Sequence, residues 1–420
     1  MDVELSTLEN GLRVVSVERP QTETVSLGIW VNTGSAYEIK DINGVSHFVE
    51  HMVFKGTQKR NSLQISEDIE NVGGQTNAYT SREFTSFYAK MLKNDLELAV
   101  DVLSDLVVAP TFDMDEMAKE KEVVVQEIKQ TNDDPSDIVY DYFLETAYQN
   151  QGLGRSILGT PEIVRSFNTE ILKKYMATNY AAENMIVAGA GNLKHAEFVK
   201  MVEQRMGNIN SKTNFIKEQQ IYNGGEFVKN RDIEQAQVLL GFEGVPHNHE
   251  DYYKSTILST ILGGSMSSRL FQEIREKRGL VYTVYSFANA HTQSGIFGIY
   301  AGLNEEEIKQ YIPVVADELK KISSEYVSDK EINRVKVQLK ASMMMALESS
   351  SSTAEAIARQ YLLYGRSIPV KEIIERIEAV SKDDILRLSQ KIFTSQPTYT
   401  LLGNLKNYPG YDDLQKYLKI

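Results

Sequence analysis

The segment His47-Phe48-Val49-Glu50-His51 combines residue types that can bind a metal ion and move a proton. If the segment is helical, His47 and His51 are four residues apart on one face, and Glu50 lies on the edge of that face. Two imidazoles at this spacing can chelate one zinc ion, and the adjacent carboxylate can reach a water molecule beside the metal. The chain has only 6 histidines in 420 residues, so a chance occurrence is on the order of one in a hundred. A helix with two incidental histidines is the alternative interpretation.

Two histidines leave a catalytic zinc ion one protein ligand short. The chain contains no cysteine, so carboxylates are the main remaining candidates. The segment 113–130 has a helical pattern in which Glu120 and Glu127 are seven residues apart on one face, next to the apolar run 123–125. A carboxylate buried beside such a run requires a partner. The spacing alone does not choose between the two glutamates, and it does not exclude an ordinary solvated face.

The remaining histidines do not form a second metal pattern. His247 and His249 follow Pro246 among polar residues, with no carboxylate pattern beyond Glu250. We interpret this segment as a loop.

The elements that must position these residues occur in the same order in both halves of the chain. In each half, hydrophobic periodicity predicts a strand pair, a helix, a short break and a longer helix. The predicted elements are 75–80, 85–92, 95–108 and 113–130, then 282–288, 295–302, 305–323 and 329–347. We interpret the pattern as a duplicated α+β unit of about 200 residues, with two unrelated α+β domains as the alternative.

The expected domain organisation follows from this duplication. The zinc-binding domain is expected at 1–210 and its copy at 224–420, with the polar stretch 211–223 as the linker. Only the first half contains the His-x-x-Glu-His pattern. The second domain is therefore expected to carry no metal of its own.

The composition of the chain limits the kinds of molecule that we expect it to bind. The net charge is −13, which argues against nucleic acid as a partner because phosphate binding needs a basic patch. The same charge is compatible with cationic substrates, although an acidic surface also simply aids solubility. No apolar stretch reaches the roughly 20 residues that a membrane span needs, and residues 1–4 do not resemble a targeting segment. We therefore expect no membrane insertion and a cytoplasmic location.

The order His47-x-x-Glu50-His51 is the inverted zinc motif of the inverzincins. Over nearly its whole length the chain resembles the pitrilysin/insulinase family, and most closely the short-chain branch that includes the mitochondrial processing peptidase β subunit and its bacterial relatives. In that branch the third ligand follows the second histidine by 76 residues, and Glu127 stands at that position. The resemblance therefore implies one Zn²⁺ per chain, held by His47, His51 and Glu127, with Glu50 as general base and Glu120 as an accessory glutamate. It also implies two homologous domains, each a mainly antiparallel sheet covered by helices.

Further residues carry the same resemblance. Asn77, Ala78 and Tyr79 match the family's edge strand, which holds the substrate backbone by strand addition; an ordinary strand end is the alternative. Arg275 and Tyr282 match an Arg/Tyr pair, seven residues apart, that can stabilise the oxyanion of the substrate carbonyl. Without the resemblance to this family, Arg275 would be interpreted as a surface residue.

Asp137 and Asp141 fall where the processing peptidase has acidic residues that recognise an arginine near the cleavage site. Four residues apart on a helix, they could form a carboxylate clamp for a guanidinium. A solvated acidic helix start is the competing interpretation, because Asp133, Asp134 and Pro135 come directly before.

The resemblance implies a zinc-dependent endopeptidase that cleaves basic, presequence-like peptides inside an enclosed acidic chamber, with a preference for a nearby arginine. It also implies a homodimer, or a heterodimer with a related subunit. Two alternatives stay open: a non-catalytic scaffold subunit of the same family, and a peptide-binding module without turnover.

Overall fold

The computed structural model describes residues 2–212 and 217–419. Residues 213–216, in the middle of the expected linker 211–223, lie outside the described part of the chain. The strands are β1 (Glu4–Thr7), β2 (Arg13–Glu18), β3 (Thr24–Val31), β4 (Gln75–Thr80), β5 (Thr85–Leu92), β6 (Met185–Gly191), β7 (Gly225–Asn230), β8 (Ala236–Glu243), β9 (Thr283–Ala290), β10 (Gly295–Leu303) and β11 (Thr398–Gly403).

The helices lie between these strands in groups of one to five along the chain, and one helix follows the last strand. They are α1 (Val45–Val53), α2 (Ser62–Glu70), α3 (Leu96–Val108), α4 (Met114–Asp133), α5 (Pro135–Ala147), α6 (Pro161–Ser166), α7 (Thr169–Asn179), α8 (His195–Met206), α9 (Tyr252–Gly263), α10 (Ile308–Ser324), α11 (Asp329–Ala346), α12 (Ser350–Tyr364), α13 (Val370–Glu378), α14 (Lys382–Phe393) and α15 (Tyr411–Tyr417). None of the described helices is long and apolar enough to cross a bilayer.

The chain divides into two compact units, and each contains one sheet. The first unit comprises Met1–Lys129, Ser156–Glu218 and Met343–Val370, and the second comprises Gln130–Arg155, Gln219–Ser342 and Lys371–Ile420. A single division near residue 211 does not describe these units. Helix α5 belongs to the second unit and packs on β7, β8 and β11, whereas α12 belongs to the first unit and packs on β2, β3 and β6.

The two sheets share one topology. The first has the strand order β1-β2-β6-β3-β5-β4 and the second has the order β7-β11-β8-β10-β9. In each, one parallel pair is followed by antiparallel pairs: β2 with β6 in the first sheet and β7 with β11 in the second. The first sheet has β1 as an additional edge strand. The predicted α+β class, with mainly antiparallel sheets covered by helices, is confirmed.

The first sheet is covered on both faces because its strands alternate two sets of side chains. One face contributes Leu27, Ile29 and Phe87 to a core that also contains apolar residues of α1, α3, α4 and α8. The other face contributes Trp30 and packs against Ile357 of α12. The helix that carries the His-x-x-Glu-His pattern therefore lies against the first face.

We expect Ile357→Ala to destabilise the first unit by about 2–5 kcal/mol, because it empties a fully buried site between α12 and the sheet. Trp30 is the only tryptophan of the chain and belongs to the same cluster, so its fluorescence during guanidinium unfolding reports on this packing. Leu63→Ala in α2 is the control, since Leu63 is 65% exposed and its truncation should change stability by less than about 0.5 kcal/mol. Equal unfolding midpoints for both variants would contradict the packing of α12.

Candidate active site

The start of α1 is fixed by a buried carboxylate. Glu38 accepts hydrogen bonds from the backbone N–H groups of Gly44 at 2.6 Å and Ser46 at 2.7 Å, and from Nδ2 of Asn43 at 2.9 Å. The first N–H groups of a helix have no partner within the helix, and Glu38 supplies one for them. Burial raises the pKa of Glu38, and these hydrogen bonds oppose that rise. The helix that carries both histidines therefore begins at a defined position.

His47 and His51 on α1 and Glu127 on α4 place one side-chain atom each close together, and we call these three atoms the three-atom group. His47 Nε2 and His51 Nε2 are 3.2 Å apart, and Glu127 Oε2 lies 3.7 Å from the first and 3.5 Å from the second. In a tetrahedral zinc site with bonds of about 2.0–2.1 Å, ligand atoms are roughly 3.3 Å apart. Glu127 Oε2 is buried and accepts no hydrogen bond from the described residues. These three atoms therefore fit a zinc ion, and among the described residues no other His/Cys/Asp/Glu group has this geometry.

The two histidines have different electrostatic surroundings. Burial, reinforced by the neighbouring His51, lowers the pKa of His47 to about 3, so this imidazole is neutral, as a metal ligand must be. Burial also disfavours a charged His51, but Glu120, Glu127 and Glu50 outweigh that effect and raise the pKa of His51. Glu120, Glu127 and Glu50 thus favour a positive charge between α1 and α4.

Glu120 lies behind His51 rather than in the three-atom group. Its Oε1 is 2.8 Å from His51 Nδ1, and its Oε2 is 2.7 Å from Lys55 Nζ. Burial disfavours the charged form of Glu120, yet the bonds from His51 and Lys55 lower the pKa of its carboxyl. A carboxylate that accepts from the far nitrogen of a metal-binding histidine fixes the tautomer and ring orientation. Sequence spacing left Glu120 and Glu127 as equal candidates, and the fold gives them different positions.

Glu50 directly precedes His51 on α1. Its Oε2 accepts a hydrogen bond of 2.6 Å from Thr80 Oγ1 at the end of β4. Burial raises the pKa of Glu50, and the Thr80 bond partly offsets that rise. Sequence reasoning missed both Thr80 and Lys55 as partners of site residues. For Lys55 a signal existed, because it follows His51 by four residues, in the turn directly after α1.

Asn77, Ala78 and Tyr79 lie on β4, an edge strand of the first sheet. One side of β4 pairs with β5, and the opposite side pairs with no described strand. The Tyr79 hydroxyl donates a 3.0 Å hydrogen bond to Glu355 Oε1 of α12. Its side chain is therefore already bound, and the open backbone edge is the part of β4 that remains available to an extended peptide.

The other expected site residues belong to the second unit. Arg275 lies in a π-helical segment, Phe271–Glu276, and its guanidinium is 4.9 Å from the centre of the Phe271 ring. Arg275 and Tyr282 are both exposed. The structure describes them within their own unit and does not join them to the histidines.

Asp137 and Asp141 lie on α5, also in the second unit. Asp137 is exposed in the first turn, where its backbone N–H bonds to the capping residue Asp134 at 3.4 Å, and Asp141 is half-buried one turn later. Burial is the main cause that raises the pKa of Tyr300 to about 12, and the charges of Asp134 and Asp137 add to this rise. The acidic helix start is thus observed, and the guanidinium clamp stays a prediction.

Comparisons with known proteins bear on this site. Residues 13–161 match the family described as insulinase (peptidase family M16), and residues 166–339 match the peptidase M16 inactive domain. An uncharacterized zinc protease of Bacillus subtilis, YmxG, is 38% identical over 405 residues, which are 96% of this chain and 99% of that protein. The chain belongs to the insulinase family, peptidase family M16.

Other relatives and a solved structure agree with this assignment. The mouse mitochondrial-processing peptidase subunit beta is 33% identical over 427 residues, covering 98% of this chain and 87% of that protein. A crystal structure of a protease from Helicobacter pylori has a TM-score of 0.91 at 23% identity, covering 96% of this chain and 99% of that one, and so shares the fold. In this M16 chain, His47, His51 and Glu127 all fall within the first match, and the second match is to the domain described as inactive.

We expect Glu120→Gln to weaken zinc binding by roughly 10- to 100-fold, because the neutral amide no longer offers His51 a charged acceptor. Competition with a chromophoric chelator measures this affinity. Glu116→Gln is the control, since Glu116 lies on the same helix but pairs with exposed Lys119 at 2.7 Å. Equal affinity of Glu120→Gln and wild type would contradict the supporting role of Glu120.

Proposed function

We propose that this chain is a zinc-dependent endopeptidase with one Zn²⁺ held by His47, His51 and Glu127. The observation that carries the proposal is the three-atom group with its buried, unpartnered Glu127 oxygen, next to a second carboxylate, Glu50, on the same helix turn as His51. The names of the relatives, zinc protease and processing peptidase, support the same chemistry.

Each of the chain's own groups has a distinct part in the proposed reaction. A zinc ion at the three-atom group would supply Lewis acidity, polarising a peptide carbonyl and lowering the pKa of water towards about 7. Glu50 would accept the proton of the attacking water and return it to the departing amine. The burial that raises the pKa of Glu50 favours the first of these transfers, because a more basic carboxylate accepts a proton more readily. The edge of β4 at Asn77, Ala78 and Tyr79 would hold the peptide extended by backbone pairing.

The residues of the second unit enter the proposal by family resemblance and by their chemistry. Arg275 and Tyr282 would donate hydrogen bonds to the oxyanion of the substrate carbonyl. Asp137 and Asp141 would bind a basic side chain near the cleaved bond, which fits a chain of net charge −13.

We also infer assembly with a second copy or a related subunit, because relatives are named as the beta subunit of a processing peptidase. Light scattering that gives a monomer across a wide concentration range would contradict this inference.

A non-catalytic scaffold of the same family is the second candidate function, since the second half matches a domain described as inactive. The motif in the first half argues against it, because a scaffold has no use for a base at Glu50. Zinc analysis combined with a cleavage assay on an arginine-containing amphipathic peptide separates the candidates.

We expect Glu50→Gln to retain zinc while cleavage of a fluorogenic peptide falls by about 10²- to 10⁴-fold, the usual contribution of a general base. The variant replaces one oxygen by an amide and leaves all three proposed metal ligands in place. Metal content and kcat/KM are measured on the same preparation. Glu70→Gln, an exposed change in α2, is the matched control. Wild-type turnover in Glu50→Gln would remove Glu50 from the mechanism.

A peptide with arginine near the cleaved bond should be a better substrate than the same peptide with citrulline, which keeps the shape of the side chain but not its charge. Asp141→Asn should reduce this preference by roughly 5- to 10-fold, equivalent to about 1–1.4 kcal/mol. Asp412→Asn, an exposed change in α15, serves as the control. If Asp141→Asn keeps the full preference, the clamp lies elsewhere.

A further inference from the structure

The carboxylate of Glu50 has one side-chain hydrogen bond among the described residues, and Thr80 supplies it. The distance from Thr80 Oγ1 to Glu50 Oε2 is 2.6 Å, which is at the short end for a hydroxyl donor and is typical of an ionised acceptor. No other side chain of the described residues donates to Glu50, and the backbone N–H of Thr80 adds a hydrogen bond that also lowers the pKa of Glu50. Thr80 is therefore the residue that holds this carboxylate.

We propose that Thr80 is a positioning residue that holds the general base Glu50 in its productive orientation and connects it to the strand that receives the peptide. This inference rests on the proposed function, because it assigns Thr80 a part in the same reaction. The inference requires that Thr80 itself have a fixed position, and that the Glu50 carboxylate change its orientation when the Thr80 hydroxyl is removed.

Thr80 is fixed by the turn that follows it. Thr80 ends β4 and pairs with Thr85 on β5. The connecting turn is bound by the chain segment 35–36, where the N–H of Ser35 donates to Ser81 O at 3.3 Å and the N–H of Ala36 donates to Arg82 O at 2.8 Å. A backbone bound at both sides of the hairpin gives the Thr80 hydroxyl a defined position.

The alternation of β4 directs Thr80 and its neighbour to opposite faces of the sheet. Tyr79 extends to α12, where it binds Glu355, and Thr80 extends to α1, where it binds Glu50. Successive side chains of a strand point to opposite faces, so a single residue step separates these two contacts. The strand proposed to bind the peptide backbone thus also holds the base.

Glu50 has reason to move when Thr80 is changed. A glutamate on a helix has three rotatable side-chain bonds, so an unheld carboxylate is free to leave the orientation that proton transfer needs. The Thr80 hydroxyl opposes this by binding the charged carboxylate in one rotamer. A misplacement of about 1 Å in a catalytic group can reduce turnover by about 10²-fold.

Thr80→Val tests the inference because valine keeps the shape and the strand preference of threonine but cannot donate. We expect kcat on a fluorogenic peptide to fall by roughly 10- to 100-fold, KM to change by less than about 2-fold, and zinc content to remain that of the wild type. Thr80→Ser restores the donor and should recover kcat to within about 3-fold of wild type.

Thr76→Val is the matched control. Thr76 lies on the same strand and on the same face as Thr80, but its hydroxyl donates to Tyr88 O at 3.1 Å and does not reach Glu50. It should leave kcat and KM near wild type. Wild-type kcat in Thr80→Val would overturn the inference, as would equal losses in Thr80→Val and Thr80→Ser, which would indicate a purely structural effect. The proposed function fails in a distinguishable way: a zinc-loaded wild type would then cleave no peptide at all.

Discussion

The hydrogen bonds to the buried carboxylate of Glu38 are the interaction on which the position of both α1 histidines depends. Glu38 accepts from the backbone N–H groups of Gly44 and Ser46, so the helix cannot begin one residue earlier or later without leaving these donors unpaired. An unpaired buried donor costs about 1–3 kcal/mol. A shift by one residue would also rotate the helix by about 100° and turn His47 and His51 away from α4. The geometry of the group formed by His47, His51 and Glu127 is thus set in part by Glu38, a carboxylate nine residues before His47.

The three carboxylates around the histidines differ in their hydrogen-bond and ion-pair partners. Glu127 Oε2 is buried, accepts no hydrogen bond from the part of the chain that the structure describes, and is thus available to a cation. Glu120 uses both oxygens, on His51 and on Lys55, and so cannot enter the group without breaking an ion pair. Glu50 is held at one oxygen by Thr80. Three side chains of the same type thus have different hydrogen-bond donors around them, and this difference supports their proposed roles as ligand, support and base.

Much of the site could be predicted from local spacing, because His47, Glu50 and His51 share one helix turn. The choice of Glu127 over Glu120 could not follow from local spacing, since both lie on one face of α4. The 76-residue interval of the resembling family indicated Glu127, and the packing of α4 against α1 gives the two glutamates their different positions. Glu38 and Thr80 escaped sequence analysis for a related reason. Their hydrogen bonds join segments whose relation depends on the tertiary fold, and neither residue type is unusual where it stands.

The strands β4 and β5 and the class of the fold could be predicted from hydrophobic alternation. The packing of α5 on the second sheet and of α12 on the first could not be predicted. An amphipathic pattern shows that a helix has an apolar face but not which sheet covers it. The pattern of Ile357, Ala358 and Tyr361 is compatible with either sheet. The observed choice depends on which sheet leaves an apolar face uncovered, and that is a property of the whole chain.

The position of α12 has a consequence for how this protein is made. The last strand of the first sheet ends at Gly191 and α12 begins at Ser350, 159 residues later. At a synthesis rate of about 5–20 residues per second, roughly 8–30 s pass between them on the ribosome. During that interval the apolar face around Val15, Trp30 and Ile186 has no covering helix. The nascent chain thus exposes an apolar surface while its second sheet is still being translated. During this interval the surface is a binding site for a chaperone.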